Sequence, residues 1–282
     1  MNKLMRVRTD AGSQWVYDVD GRTVALTEGL DELLGLDLET MRRRCTAAAD
    51  EVVVTGAVLA PIESQDVWGA GVTYQRSREG RHAESEHSAI YDKVYTAERP
   101  ELFFKAAGPW VVAPGGPIAV RHDSEFDAPE PEIALVVNAH GEIAGYTIAN
   151  DVTSRGIEGE NPLYLPQAKI FTDSCALGPV IVPAWELDRT PEFEIRLTVE
   201  RDGRTVLDDK TSSAAMSRGF TDLVNWLFRS MEFPRGVVLM TGTGIVPEPD
   251  FTLQEGDRVD IRMEPVGLLS NVVCRLGTRG SR

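Results

Sequence analysis

The run Pro129-Glu130-Pro131-Glu132-Ile133-Ala134-Leu135-Val136-Val137 constrains this chain more than any other feature. The apolar stretch after Glu132 reads as a strand running into a core. Side chains alternate faces along a strand, so Glu130 and Glu132 project from the same side at its mouth. Two carboxylates held against an apolar interior repel each other unless something positive lies between them. A divalent cation meets that need, and oxygen-only ligands favour a hard ion such as Mg2+ or Mn2+. By itself, E-x-E fits a solvated edge with two unrelated acids equally well. The residues that follow decide between the two.

Asp151 is a third acid, 19 residues after Glu132. The strand returns through His140-Gly141 into residues 143–148. A hairpin brings that far end back beside the start of the first strand, so the three carboxylates can converge. Three oxygens, with water or substrate completing an octahedron, make a catalytic Mg2+ site. Alone, Asn150-Asp151 is ordinary turn chemistry; its conjunction with Glu130 and Glu132 favours the metal. Lys169 sits between apolar neighbours in Leu165-Pro166-Gln167-Ala168-Lys169-Ile170-Phe171. An ammonium there has a depressed pKa or stabilises a developing enolate. Without that context it reads as a lysine stem lying over apolar surface. Lys105, after Leu102-Phe103-Phe104, invites the same two readings.

The net charge of −15, from 44 acidic against 29 basic residues, repels phosphate backbones and argues against a nucleic-acid partner. It leaves room for a small anionic substrate in a pocket whose local charge opposes the global one. Cys45, Cys175 and Cys274 are too few and too unpatterned for a disulfide framework or a zinc site. No apolar run approaches membrane-span length, and Met1-Asn2-Lys3-Leu4-Met5-Arg6 lacks a signal-peptide core. The chain reads as soluble and cytoplasmic.

Residues 1–62 read as a small N-terminal α/β domain, with a hairpin at Asp20-Gly21, a helical stretch carrying Leu30, Leu33, Leu34 and Met41, and an apolar strand over 52–54. Residues 63–282 read as the larger unit. There, residues 75–94 suggest a weakly amphipathic helix lying over a surface or acting as a lid. Residues 66–74 read as a strand emerging into a loop, and strands are expected at 102–105, 110–112, 118–120, 133–137, 143–148, 179–182, 192–200, 205–208, 237–240 and 259–263. A helix is expected from 220 to about 231, with Leu223, Trp226 and Leu227 on one face. Many strands, few helices and no regular βαβ alternation make the fold class α+β and β-rich.

Tyr74, Arg76, Arg78 and Arg81 gather at a strand-to-helix junction, where guanidinium groups could hold a carboxylate substrate; a solvated helix face is the plainer reading for Arg81. His82 and His87, five apart on one helix, fall on different faces and argue against a His-His metal pair. Thr241-Gly242-Thr243-Gly244 reads as a loop offering N–H groups and hydroxyls to a ligand, without the lysine of a phosphate-binding loop. Cys175 has no histidine partner in sequence and reads as buried structure.

Glu130-Pro131-Glu132, Gly145-Tyr146-Thr147-Ile148-Ala149-Asn150-Asp151-Val152-Thr153-Ser154-Arg155, Lys169, Gly178-Pro179 and Thr241-Gly242-Thr243 together resemble the fumarylacetoacetate hydrolase family. Motif order and spacing agree over about residues 66 to 275. The resemblance implies a rolled mixed β-sheet core after a variable N-terminal domain, usually in a homodimer. It implies Mg2+, sometimes Mn2+ or Ca2+, held by Glu130, Glu132 and Asp151, an active-site Lys169, and substrate contact by Thr243. Most hydrolase and decarboxylase members have a longer interval between the second Glu and the Asp. They also carry a His-Glu dyad at the positions held here by Ser77 and Gly80, and that dyad activates the attacking water. The short interval, Gly71-Val72-Thr73-Tyr74-Gln75-Arg76-Ser77-Arg78 and residues 157–167 instead resemble the branch that dehydrates 2-keto-3-deoxy-D-arabinonate.

That resemblance implies a Mg2+-dependent dehydratase forming 2,5-dioxopentanoate from a 2-keto acid. Removal of a C3 proton and acid-assisted loss of the C4 hydroxyl are the steps required. Lys169 is the first candidate for proton transfer or enolate stabilisation. Glu158, Glu160 and Glu79 are candidates for the second proton-transfer group, with Glu160 carried forward. Tyr74, Arg76, Ser77, Lys105 and Thr243 are the substrate-binding candidates. The alternatives are a C–C hydrolase or decarboxylase of a 1,3-diketo or oxaloacetate-like acid, using a lid residue such as His82, and a non-catalytic binding protein. The intact acid triad and Lys169 argue against the last.

Overall fold

The apolar run does become a strand, Pro131–Val137, and every residue in it is buried. The computed structural model describes residues 1–84 and 88–277, with the backbone alone over 80–84 and 88–91. Among the described residues, nine strands form one mixed sheet, in the order Arg22–Ala25, Gly12–Val19, Lys3–Thr9, Cys175–Pro183, Ile143–Asp151, Pro131–Val137, Val237–Met240, Asp66–Gly71 and Glu101–Ala107. A second sheet of five strands runs Arg204–Ser212, Glu194–Arg201, Arg258–Met263, Gly267–Arg275 and Pro117–Val120.

The central strand is apolar without alternation because both of its faces are covered. Ile133, Leu135 and Val137 point into a core shared with Ile195, Leu197, Ile261 and Leu269 of the five-stranded sheet. Ala134 and Val136 point the other way, into a core with Leu4, Tyr17, Leu33, Leu34 and Met41. The first three strands join the large sheet through Leu4↔Ile181. Their hairpin turns at Asp20 and Gly21, both with positive φ (51° and 78°), as a tight two-residue turn requires.

The strand ends determine where chemistry can occur. Pro131 pairs with Asn150, Cys175 with Asp151, and Gly71 with Glu101. Met240 pairs with Gly69 in parallel and with Ala134 antiparallel. These pairings gather Glu130, Glu132, Asp151, Gly71, Glu101 and the 241–243 loop at one end of the sheet. The hairpin that sets the Pro131–Asn150 register is closed at the opposite end by a clasp. Asn138 Oδ1 accepts from the Glu142 N–H at 2.9 Å, and Asn138 Nδ2 donates to Glu142 Oε2 at 2.7 Å and to the Leu36 carbonyl at 3.0 Å.

Several expected elements differ. Residues 52–54 form no strand: the segment touches the hairpin through a single bridge, Val24↔Glu51, and Val53 is 88% exposed, so its β-branched side chains have no face to cover. Residues 110–112 are likewise irregular, with one bridge from Val112 to Ala176 after a 3-10 turn at Gly108–Trp110. The lid segment is two helices, Gln75–Glu84 and Ser88–Thr96. The late helix is shorter than expected, Phe220–Leu227; it buries Leu223, Val224 and Leu227, and Trp226 instead stacks on Arg99 and Arg229. Gly267–Arg275 is a further strand, paired on both sides.

Leu135 lies where the central strand enters the inter-sheet core. Leu135→Ala is expected to destabilise the protein by about 2–5 kcal/mol in urea titration. Val206→Ala, at a position 41% exposed, is expected to stay within about 0.5 kcal/mol of the parent.

Candidate active site

Glu130, Glu132 and Asp151 are all buried, and each offers an oxygen within 4.8 Å of the others. The hairpin holds them there: the Asp151 N–H donates to the Glu130 carbonyl at 2.9 Å, and the Glu130 N–H donates to Asn150 Oδ1 at 3.2 Å.

Burying three carboxylates together demands compensating charge. Lys169 Nζ donates to Glu130 Oε2 at 2.6 Å, Asp151 Oδ2 at 2.8 Å and Thr153 Oγ1 at 2.8 Å. Arg155 Nε donates to Glu130 Oε1 at 2.8 Å, and Lys105 Nζ lies 2.5 Å from Asp151 Oδ1. Glu130 and Asp151 are thus each gripped on both oxygens by cations. Glu132 accepts from the Gly242 N–H at 2.5 Å. Its carboxyl is pushed well above the usual carboxylate range, first by burial and then by Asp151 and Glu130; Lys169 and the Gly242 N–H pull the other way. A divalent cation would relieve that repulsion. The donor set, carboxylate oxygens alone, suits a hard ion such as Mg2+.

Gly242 owes its identity to this site. Its φ is +88°, and a Cβ would meet Thr73 Oγ1 at 2.1 Å and the Ala70 carbonyl at 2.9 Å. Thr73 Oγ1 ties the loop down by donating to the Thr241 carbonyl at 2.6 Å, and Thr241 Oγ1 donates to the Ile133 carbonyl at 2.9 Å.

A small cavity opens on Glu130, Glu132 and Lys169, walled by Ser77, Glu101, Phe103, Glu158 and Thr243. Of the expected site residues, Ser77, Thr243 and Lys169 therefore line it together with two of the acids, and Asp151 lies just behind. Tyr74 is buried off the wall, its ring filling the space that a side chain at position 244 would need. Its hydroxyl pKa is raised by burial and then by Glu132. Arg76 is exposed and pairs with Asp209 at 2.8 Å, away from the cavity. Glu160 is exposed, whereas Glu158 is buried on the wall. Residues two apart on a helix face nearly opposite directions, so Arg155–Glu160 can present only one of the two. Lys105 stands behind Asp151 rather than on the wall. Cys175 is buried, and burial pushes its thiol up to about 12. The side chains of Arg81, His82 and His87 lie outside the described residues.

Glu101, Phe103 and Arg155 received no role from sequence. The signal for the first two was alternation: in Glu101–Ala107, residues 101, 103 and 105 share one face and serve one site. Gly71 makes room for Glu101, since a Cβ there would meet its Oε2 at 2.1 Å.

Residues 66–274 match the model of the fumarylacetoacetate (FAA) hydrolase C-terminal domain. The chain belongs to the fumarylacetoacetate hydrolase family. Among its relatives, a probable 2-keto-3-deoxyxylonate dehydratase of Haloferax volcanii is 47% identical over 224 residues, covering 79% of this chain and 77% of that one. A 2-dehydro-3-deoxy-D-arabinonate dehydratase of Saccharolobus solfataricus is 39% identical over 244 residues, covering 85% and 80%. A solved structure of 2-keto-3-deoxy-D-arabinonate dehydratase, complexed with magnesium and 2,5-dioxopentanoate, superposes with a TM-score of 0.87 at 34% identity, covering 99% of this chain and 100% of that one.

A carboxyl whose pKa is higher in the folded than in the unfolded chain favours folding while protonated. That contribution is lost as pH rises from the usual carboxylate range through the raised value. Glu132→Gln removes this liability and keeps an acceptor for the Gly242 N–H. In EDTA, the variant is expected to melt above the parent at pH 8, with the difference shrinking toward pH 4. Added Mg2+ is expected to raise the melting temperature of the parent and leave the variant unmoved.

Proposed function

We propose that this chain is a Mg2+-dependent dehydratase that converts a 2-keto-3-deoxy pentonate, such as 2-keto-3-deoxy-D-arabinonate, into 2,5-dioxopentanoate. The observation that carries the reading is the buried Glu130–Glu132–Asp151 cluster, bridged by Lys169 and facing a cavity with separate carboxyl groups on its wall.

Glu130, Glu132 and Asp151 would hold the ion. When bound, it supplies a Lewis acid that polarises the keto group and acidifies the neighbouring C3 protons. Lys169 donates hydrogen bonds to three oxygens at once, so it is an ammonium without a lone pair to accept a proton. Its role is to hold positive charge beside the keto oxygen as that oxygen gains electron density. Proton movement falls to the carboxyl groups on the wall. Glu158, rather than the exposed Glu160, stands on that wall, together with Glu101. One proton leaves C3, and the C4 hydroxyl takes a proton and departs as water. Proton shifts then convert the C5 hydroxymethyl group of the unsaturated keto acid to the aldehyde. Ser77 and Thr243 place hydroxyls where a polyol chain can hydrogen-bond.

Ser77, standing at one of the family's hydrolytic dyad positions, cannot activate water as a histidine does, which favours dehydration over C–C cleavage. No helix among the described residues is long and apolar enough to cross a membrane. The same proposal includes a homodimer in the cytoplasm.

Purified protein with Mg2+ is expected to release 2,5-dioxopentanoate from 2-keto-3-deoxypentonate, followed by NMR, and to stop on addition of EDTA. Glu158→Gln is expected to lower kcat by about 100-fold or more. Turnover of an acylpyruvate with no semialdehyde formed would replace this reading with the hydrolase.

A further inference from the structure

We propose that Lys105 is a positioning residue: it locks the ligand Asp151 to the chain end that carries Lys169, and it acts on both without touching substrate. The side chain is fully buried. Its ammonium lies 2.5 Å from Asp151 Oδ1 and donates to the carbonyls of Val152 at 2.9 Å and Lys169 at 2.5 Å. The three oxygens are one ion-pair partner and two hydrogen-bond acceptors. They lie on two different segments, the end of Ile143–Asp151 with the residue that follows it, and the last residue of the Leu165–Lys169 helix. Each carries one functional side chain, and Lys105 joins them from a third, the edge strand Glu101–Ala107.

The backbone of Lys169 needs such a hold. Leu165–Lys169 is a five-residue helix with no side-chain N-cap, and its last carbonyl is available to outside donors. Lys105 Nζ and Ser174 Oγ (3.0 Å) both donate to that carbonyl. Fixing it fixes where the Lys169 side chain starts, and so where its ammonium meets Glu130 and Asp151. Fixing Asp151 Oδ1 leaves Oδ2 aimed at Lys169. Lys105 thus orients both groups as an outer-shell partner orients a ligand, for which loss typically costs about 10–100-fold in metal affinity or activity.

The inference rests on Glu130, Glu132 and Asp151 holding a divalent cation, so the test measures that cation directly. Lys105→Met preserves stem volume and removes the donors. Folding is checked by circular dichroism, Mn2+ binding by calorimetry, and turnover of 2-keto-3-deoxypentonate by separate kcat and KM. The expected result is a folded variant with Mn2+ affinity weakened about 10–100-fold, kcat reduced and KM at saturating metal unchanged. If Lys105→Met does not fold, Lys105→Arg replaces it with the same expectations, because a planar guanidinium cannot place one nitrogen against all three oxygens. Metal affinity within twofold of the parent overturns the inference, even if thermal stability falls. A raised KM with kcat and metal affinity intact overturns it in favour of direct substrate contact. A parent protein that binds no Mn2+ overturns the metal reading itself and this inference with it.

Discussion

Mutual repulsion of three carboxylates buried within 4.8 Å of one another is the constraint on which the rest of this structure depends. Left uncompensated, it would force those groups to protonate or the site to open. The protein supplies Lys169, Lys105 and Arg155 from three separate segments, and each cation is itself buried. Each of those segments must then be pinned to within hydrogen-bonding distance. Lys105 comes from a strand of the nine-stranded sheet, and Arg155 and Lys169 come from the helical connection between two of its neighbouring strands, Ile143–Asp151 and Cys175–Pro183. The arrangement concentrates cations on Glu130 and Asp151, and the ionisation of Glu132 is disfavoured by burial and by those two neighbouring acids. An incoming cation would relieve that repulsion.

Much of this was legible in sequence because it depends on local rules. Two acids on one face of a strand follow from the period of two, and the convergence of Asp151 follows from the hairpin. The family resemblance rests on the same residues. What sequence could not rank was direction around a short helix: Glu158 and Glu160 are equivalent in composition, and packing alone sends one inward. Arg76 was misplaced for a related reason. Its position beside the site suggested a carboxylate clamp, yet Asp209 from a distant strand claims it at the surface. Residues 52–54 show the limit of β-propensity, since branched side chains make a strand only where a partner and a face await them. Glu101 went unread because its neighbour Gly71 is a partner only through strand pairing.

The central strand serves two cores and one site at once. Its odd residues pack against the five-stranded sheet and its even residues against the N-terminal strands and helices. The N-terminal strands and helices are therefore no bystanders: they cover the same face of the central strand from which Glu130 and Glu132 project at its mouth, and Lys3–Thr9 is hydrogen-bonded into the same sheet. Loosening that packing would be felt at the acids through a single rigid element.

The clasp between Asn138 and Glu142 lies at the far end of the hairpin from the chemistry, and together with the register shift at Val136–Val137 it counts the residues that place Asp151 opposite Glu130. In a ladder, a shift of one residue turns every side chain to the other face. Asp151 would then point toward apolar packing, and Val152 would stand where the carboxylate belongs. The turn is in that sense a counting device. Its residues can change in evolution as long as the parity of the hairpin is kept, and a slip of one would break up the acidic cluster while leaving all of its residues in the sequence.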